Sequence, residues 1–414
     1  MIEGFEEKLE KYARLAVRSG CNLQEGQELF VVADIATAPL VRKIVAEGYA
    51  AGASIVTVRW TDEVCGRLAY EHRSLESFET FPEWQAVLQN GMARRGAALL
   101  FIDSDDPEAL AGIDQRKLVA LTKAAHAACK EWRDGMDFGR NVWCIIGAAS
   151  PAWAAHVFPD LPLDEAVERL WEAIFATVRV DRDDPVAAWE EHRRSFEARR
   201  AFLDAKHIDT LHYTSGLGTD ITIGLAEGSI WQGGGSETVG GTAFFPNMPT
   251  EEIFTSPHRM RTEGTVVASM PLNHNGSLVE GFSLTFHEGE LVDFHAERGE
   301  DVLRELFATD EGARRLGECA LIPKSSPIRQ TGILFLNTLY DENASCHFAV
   351  GMGFPDCYEG GLEMDKEALL AAGVNDSATH VDFMLGTDDL RIVATTRDGE
   401  EFAVFEGGTW AFEV

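Results

Sequence analysis

Several features that mark particular classes of protein are missing from this sequence. No run of 18 apolar residues occurs, so we expect no membrane-spanning helix and no membrane partner. The charged opening segment, MIEGFEEKLE, has no apolar core of the kind that a signal peptide carries. The seven cysteines are odd in number and include no Cys-x-x-Cys pair. This pattern favours the reducing cytoplasm over a disulfide framework or a zinc–thiolate site.

Nucleotide and nucleic-acid signatures are missing as well. Neither a Gly-x-Gly-x-x-Gly motif nor a Walker-type Gly-Lys-Ser/Thr motif follows a predicted strand, so a nucleotide site is unsupported. Lys and Arg total 36 against 68 Asp and Glu, which gives a net charge of -32. Phosphate binding needs clustered positive charge, and we therefore expect no nucleic-acid partner. The acidic surface serves solubility, or it attracts the free ammonium group of a peptide.

The first half of the chain alternates apolar strands with helices. A length of 414 residues favours two domains. Strand patterns at 29–33 and 53–58 enclose a helix at 38–51, and this order predicts a parallel βαβ unit. The same alternation continues with strands at 97–102 and 142–146 and a helix at 115–130. We predict an α/β N-terminal domain with a parallel sheet, residues 1–190.

The second half has a different pattern. A charged helical stretch at 163–205 is the predicted connector, with a solvated face rather than a binding patch. After residue 206, short β-prone segments are broken by glycines, as at 233–235 and 240–241. We therefore predict an α+β, β-rich C-terminal domain, residues 191–414.

Histidines and carboxylates of the second half lie beside apolar segments. His380 and Asp382 are two residues apart, so on a strand both side chains share one face, about 7 Å apart along the backbone. Glu318 lies at the start of an apolar strand pattern, and His347 precedes another. A buried carboxylate without a partner is costly, so cations or hydrogen-bond donors must face Glu318. Each of these residues is also compatible with an ordinary structural role.

Two adjacent carboxylates, Glu251 and Glu252, lie between a turn and a β-prone segment. If they lie on a strand they point to opposite faces, and only one points inward. The second half thus offers three carboxylates and two imidazoles as metal ligands: Glu252, Glu318, His347, His380 and Asp382. Oxygen and imidazole ligands suit Zn²⁺, Co²⁺ or Mn²⁺, and five are more than one tetrahedral ion needs. A carboxylate that bridges two ions would use them all.

Several motifs, taken in order, resemble the leucyl aminopeptidase T and aminopeptidase S family of thermophilic dinuclear metallopeptidases. The resemblance is specific from about residue 205 to the end and looser over the first half. The motifs are HYT at 212–214, GTDITIG at 218–224, NMPTEEIFT at 247–255, GECAL at 317–321, DENA at 341–344 and HVDFM at 380–384.

The resemblance implies a set of ligands and an activity. Glu252, Glu318 and Asp382 would hold one ion, and Glu318, His347 and His380 the other, with Glu318 as the bridge. Two ions can lower the pKa of a shared water, polarise the scissile carbonyl and anchor the free amine of the substrate. The family is further expected to form a homodimer around an internal cavity. We therefore expect a cytoplasmic aminopeptidase with two divalent ions per chain that acts on short peptides with a free N-terminus.

One departure from the family pattern concerns the active site. Phe354 stands where the family carries a tyrosine, so a candidate oxyanion donor is missing. Tyr358, four residues later, is a candidate replacement for that hydroxyl. Glu251 is a candidate general base, alongside a metal-bound hydroxide acting alone. Cys319 and Cys346 flank predicted ligands and are expected to point to the opposite strand face, without a nucleophilic role.

Two other functions remain open from the sequence. A mononuclear iron ring-cleaving dioxygenase of related fold would use two histidines and one carboxylate. Retention of both Glu252 and Glu318 argues against that alternative. A non-catalytic homologue that holds metal or peptide is the other alternative, and Phe354 is its main support.

Overall fold

A computed structural model describes residues 2–274 and 276–414. The chain forms two compact units. Unit 1 contains the residues up to Glu191 together with Gly235–Pro249, and unit 2 contains His192–Gly234 and Thr250–Val414. The chain therefore passes between the units three times. The domain boundary expected between residues 190 and 191 stays a prediction.

Unit 1 is built on a parallel sheet. Its strands follow the order β2-β1-β3-β4, with the short strand β10 from the 235–249 segment added parallel to β4. The strands are β1 Glu28–Asp34, β2 Ile55–Thr61, β3 Ala98–Asp103, β4 Trp143–Gly147 and β10 Asn247–Met248. The helices are α1 Phe5–Leu15, α2 Ala38–Ala50, α3 Glu63–His72, α4 Glu83–Arg94, α5 Gln115–Ala128, α6 Lys130–Asp137, α7 Pro151–Val157 and α8 Leu163–Thr177, and α9 Pro185–Ala205 follows.

The predicted connector at 163–205 is wrong in its first part. Residues 163–177 form α8, whose Leu170 and Ile174 are fully buried in unit 1, and its Phe175 packs edge-on against Tyr12 of α1. The helical pattern breaks before Pro185, a residue favoured in the first turn of a helix, and α9 begins there. The charged residues of this stretch therefore led to a connector being predicted where α8 is an amphipathic helix with a buried face. Over residues 2–274 and 276–414, no helix is long and apolar enough to cross a bilayer.

Unit 2 consists mainly of antiparallel strands. A large sheet has the order β13-β14-β12-β6-β5-β19-β20-β21, and β15 pairs with β14. A second sheet has the order β18-β17-β16-β11-β7. The strands are β5 Ile208–Thr214, β6 Asp220–Leu225, β7 Gln232–Gly233, β11 Ile253–Thr255, β12 Pro257–Val267, β13 Leu272–His274, β14 Ser277–His287, β15 Glu290–Arg298, β16 Leu316–Leu321, β17 His347–Gly351, β18 His380–Met384, β19 Arg391–Thr396, β20 Glu401–Glu406 and β21 Thr409–Trp410.

Short helices and one small ribbon complete the structure. The helices of unit 2 are α10 Glu300–Leu306, α11 Pro327–Thr331, α12 Thr338–Asp341 and α13 Lys366–Ala372. The ribbon joins β8 Ser236–Glu237 to β9 Ala243–Phe244 in unit 1. A parallel, helix-covered sheet in the first half and a mostly antiparallel second half confirm the predicted fold class.

Candidate metal centre

All five predicted ligands belong to one sheet of unit 2. His380 and Asp382 lie on β18, His347 begins β17, Glu318 lies on β16, and Glu252 immediately precedes β11. These four strands are consecutive neighbours in the sheet. Residues that are far apart in sequence therefore become adjacent through strand pairing.

The strand register places the ligands on one face. Glu318 lies opposite Ala349, and Ala349 lies opposite Asp382, so the two carboxylates flank a small residue. Gly351 lies opposite His380 in the same way. Because side chains alternate along a strand, partners that face each other across a ladder share a face. Alanine and glycine between the ligands leave space above the sheet for their longer side chains.

The other face of this sheet forms part of the hydrophobic core. Residues that alternate with the ligands are buried there: Ile253, Cys319, Leu321, Phe348, Val350, Val381 and Phe383. The predicted orientation of Cys319 thus agrees with the structure. Burial raises the pKa of the Cys346 thiol to about 12 and that of Cys319 further still. Neither thiol is suited to act as a nucleophile.

Both imidazoles are oriented by backbone carbonyls. His347 Nδ1 donates to the carbonyl oxygens of Glu342 at 2.9 Å and Ser345 at 3.2 Å. His380 Nδ1 donates to the carbonyl oxygen of Met352 at 2.8 Å. A carbonyl oxygen only accepts, so the proton is on Nδ1 in each ring and Nε2 is available as a ligand atom. Such contacts behind a histidine are typical of metal sites.

The available ligand atoms form two groups that share one carboxylate. Glu252, Glu318 and His347 form one group, Glu318, His380 and Asp382 form the other, and the ligand atoms within each group lie within 4.8 Å of one another. This proximity places His347 with Glu252, whereas the resemblance implied His347 with His380. Both divisions give Glu318 the shared position.

The ligand atoms of neighbouring residues lie close together. His347 Nε2 lies 3.4 Å from Glu252 Oε2, and His380 Nε2 lies 3.1 Å from Glu318 Oε2 and 3.2 Å from Asp382 Oδ1. Asp382 Oδ1 is buried and accepts no hydrogen bond from the residues that the structure describes. Neighbouring buried carboxylates need compensating positive charge, which protonated imidazoles or metal ions can supply. The residues therefore fit divalent metal ions.

Charges within the centre shift several pKa values. Burial, and then the charge of Glu318, raises the pKa of Glu252 to about 8. Burial opposes ionisation of Asp382, but adjacent His380 outweighs it and lowers the pKa of that carboxyl. Burial likewise acts against the charged form of His380, yet Asp382 and Glu318 raise its pKa well above the usual value. Protons and metal ions therefore compete for the same atoms.

The expectation that only one of Glu251 and Glu252 points inward is wrong. Both are buried, with 7% and 8% of their surface exposed. They precede β11 in an irregular segment, so the strict alternation of a strand does not apply. Glu251 Oε2 lies 3.7 Å from His192 Nε2, whereas Glu252 joins the metal ligands. A base role for Glu251 stays a prediction.

Phe354 and Tyr358 occupy different surroundings. The Phe354 ring lies 4.9 Å, centroid to centroid, from the ring of His380 and 5.5 Å from that of Phe254. The residue that replaces the family tyrosine thus borders the candidate metal centre. Tyr358 instead forms a β-bridge with Ser229 and packs its ring, including the hydroxyl oxygen, against Gly228. The proposed substitution of Tyr358 for the missing hydroxyl stays a prediction.

Sequence reasoning missed three residues around the ligands. Glu342 lies close enough to Asp382, Glu252 and Glu318 for burial and then their charges to raise its pKa well above the usual range. Asn343 is fully buried next to it. Both belong to the DENA motif, which could have identified them. The third, His192, donates from Nε2 to the Thr250 carbonyl oxygen at 2.8 Å. It lies in a charged helical run that gave no such signal.

Comparisons with known proteins show the family. Residues 5–410 match the family model of thermophilic metalloproteases (M29). Aminopeptidase 2 of Geobacillus stearothermophilus is 44% identical over 99% of each chain. Aminopeptidase AmpS of Bacillus subtilis is also 44% identical, over 99% of this chain and 100% of its own.

Solved structures give the same result for the fold. Wild-type AmpT from Thermus thermophilus superposes with a TM-score of 0.92 at 42% identity, over 99% of this chain and 100% of that one. A 2,5-dihydroxypyridine dioxygenase from Pseudomonas putida KT2440 reaches only 0.50 at 12% identity, over 100% of this chain and 99% of that one, which shows a likeness of fold alone. The predicted enzyme class, a metal-dependent aminopeptidase, is confirmed at the level of the family, whose relatives carry that name. The chain belongs to the thermophilic metalloprotease (M29) family.

Proposed function

We propose that this protein is an aminopeptidase that uses two divalent ions, Zn²⁺, Co²⁺ or Mn²⁺, to remove the N-terminal residue of short peptides. The observation that carries the proposal is the pair of ligand groups that share Glu318 on one sheet face. Two groups with one common carboxylate suit a bridged pair of ions better than a single ion. The names of the relatives, all aminopeptidases, support the exopeptidase activity.

The chain's own residues prepare the centre for this chemistry. Glu252, Glu318 and His347 would hold one ion, and Glu318, His380 and Asp382 the other. When bound, the ions supply Lewis acidity and a water of lowered pKa. The backbone carbonyls behind both histidines keep each Nε2 directed at the ligand groups. The net charge of -32 of the whole chain favours the approach of a peptide with a free N-terminal ammonium group.

Two side chains near the ligands bear on proton transfer and oxyanion binding. Glu251 is buried beside His192, and its position next to Glu252 makes it the candidate base. Phe354 borders His380 with a ring that has no donor. The absence of this donor supports a second candidate function, that of a homologue that binds metal and peptide without hydrolysis. The ring-cleaving dioxygenase is not favoured, since three carboxylates rather than one join the histidines.

We further propose that the protein forms a homodimer and acts in the cytoplasm. The resemblance to the family supports the dimer. The cysteines support a reducing compartment, because all seven are free and all but Cys65 are buried. Sedimentation at micromolar concentration tests the assembly, and a mass of one chain would contradict it.

The deciding experiment measures metal content together with hydrolysis. Protein purified without chelators is analysed for metal per chain, and leucine release from a leucyl dipeptide is followed with added Zn²⁺, Co²⁺ or Mn²⁺. We expect two ions per chain and release of leucine. Two ions without release from any peptide would favour the non-catalytic homologue. One iron per chain with oxygen uptake would favour the dioxygenase.

A further inference from the structure

The side chain of Asn343 connects two segments that carry metal ligands. It is fully buried. Its Oδ1 accepts a hydrogen bond from the backbone N–H of Glu251 at 2.7 Å, and its Nδ2 donates to the Leu339 carbonyl oxygen at 3.0 Å. Nδ2 also lies 3.3 Å from Glu342 Oε1, to which it donates. One amide thus satisfies partners on both sides, and none of these partners is among the five proposed ligands.

Two partners of Asn343, Glu251 and Glu342, are next to a ligand or support one. Glu251 directly precedes Glu252, so the Oδ1 bond fixes the backbone from which the Glu252 carboxylate projects. On the other side, the Glu342 carbonyl oxygen accepts the hydrogen bond from His347 Nδ1. Asn343 is therefore the cross-link between the Glu252 segment and the turn that orients His347.

The backbone of Asn343 is held independently of its side chain. Ser326 Oγ donates to the Asn343 carbonyl oxygen at 2.7 Å. Residues 342–344 form a short 3₁₀ turn immediately after α12. The amide group therefore projects from a fixed point of the backbone. Its Oδ1 and Nδ2 atoms can then fix the distance between the Glu251 segment and the turn at 342–344. A side chain that rotated freely at this position could not fix that distance.

We propose that Asn343 is a positioning residue that sets the separation of Glu252 and His347, and through it the affinity for the ion held by Glu252, Glu318 and His347. The inference rests on the proposed two-ion centre. Residues behind metal ligands typically change metal affinity by about 10–100-fold when mutated. Loss of the amide also leaves the buried Glu251 N–H without this partner, which frees the segment to shift.

The test replaces the amide and measures binding of Co²⁺ alone. Asn343→Leu removes both ends of the cross-link and keeps the branching and the number of side-chain heavy atoms. Asn343→Ser serves if the leucine variant does not fold, since it is smaller and polar but too short to reach both partners. The matched control is Asn141→Leu, because Asn141 is also buried, in unit 1, and donates to two backbone carbonyl oxygens, those of Ala93 and Ala97.

Metal-free wild type and variants are titrated with Co²⁺, and binding is measured by calorimetry and by the visible absorption of the bound ion. Unfolding temperatures of the same proteins are recorded without metal. We expect one of two binding steps to weaken by about 10–100-fold in the Asn343 variants, with a smaller change in the other. Asn141→Leu should lower the unfolding temperature and leave both steps unchanged.

The outcomes separate this inference from the proposed function. A wild type that binds fewer than two Co²⁺ ions contradicts the two-ion centre itself. Two steps of wild-type affinity in a folded Asn343 variant overturn the positioning role alone. Equal weakening of both steps also overturns it, because the effect would then be general rather than specific to the Glu252 and His347 group.

Discussion

The substitution Phe354→Tyr tests whether a missing hydroxyl limits this enzyme. The wild-type ring is held on two sides, by His380 at 4.9 Å and by Phe254 at 5.5 Å between centroids. The backbone N–H of Phe354 donates to Ser256 Oγ at 2.8 Å, which fixes the start of the side chain. A tyrosine in the same pose would therefore carry its hydroxyl at the border of the metal centre with little freedom left to lose.

The expected gain follows from the value of one oxyanion donor. Such a donor is worth about 10²–10³ in kcat, or about 2.7–4 kcal/mol in the transition state. Phe354 is only partly buried, so the new hydroxyl stays near water and its desolvation costs little. We expect a rise of about 10²-fold in kcat with a smaller change in KM, since the bond forms mainly in the transition state.

The assay is steady-state hydrolysis of a leucyl anilide with saturating Co²⁺. The matched control is Phe402→Tyr, which adds a hydroxyl to a partly buried ring on β20, in the other sheet of unit 2, and should leave kcat near the wild-type value. An unchanged kcat for Phe354→Tyr, at full metal content, would refute the oxyanion argument. An equal rise in the control would show that any added hydroxyl suffices.

Three further predictions concern the metal ligands, the substrate and the partly buried carboxyl of Glu63 in unit 1. Glu318→Ala should abolish binding of both ions because both groups share this carboxylate, and metal analysis that still finds two ions per chain would contradict the bridge. Peptides with an acetylated N-terminus should resist cleavage in a matched assay with their free counterparts, and ready hydrolysis would rule out anchoring of the amine. Burial and neighbouring carboxylates raise the pKa of Glu63 to about 7, so its contribution to stability is present below about pH 4 and lost as the pH rises to 7. Glu63→Gln keeps an acceptor for the Asp106 N–H. The difference in unfolding free energy between this variant and wild type should therefore be about 1 kcal/mol more favourable to the variant at pH 8 than at pH 4. The effect is small because water screens the partly exposed charge. Thermal unfolding at both pH values measures this, with the exposed Glu76→Gln as control, and a gain independent of pH would contradict it.

Periodicity predicted the strands of unit 1 closely. The segments predicted at 29–33 and 97–102 correspond to β1 and β3, and no strand end differs by more than one residue. A short continuous apolar run between turn residues is typical of a buried strand. The helix expected at 115–130 ends at Ala128, and a second helix begins at Lys130. Boundaries depend on local caps and packing, which periodicity does not contain.

Errors arose where charge or an assumed strand was taken as a guide to exposure. His192 lies in a run of charged residues, yet its side chain is largely buried and binds the Thr250 carbonyl oxygen. Glu251 is buried for a similar reason, because an irregular segment can turn two adjacent carboxylates inward. In both cases the burial depends on a partner from a distant segment, and composition carries no record of that partner.

By itself, the sequence determined the alternation of the strands, and with it which residues share a face. It therefore predicted that His380 and Asp382 point together and that Cys319 points away from them. The tertiary structure alone decided which strands are neighbours. Only the pairing of β16 with β17 and of β17 with β18 brings Glu318 across Ala349 from Asp382. Together the two pairings bring Glu318 next to His380, 62 residues away in the sequence. Packing of the opposite face in the core, rather than any local pattern, selects these neighbours.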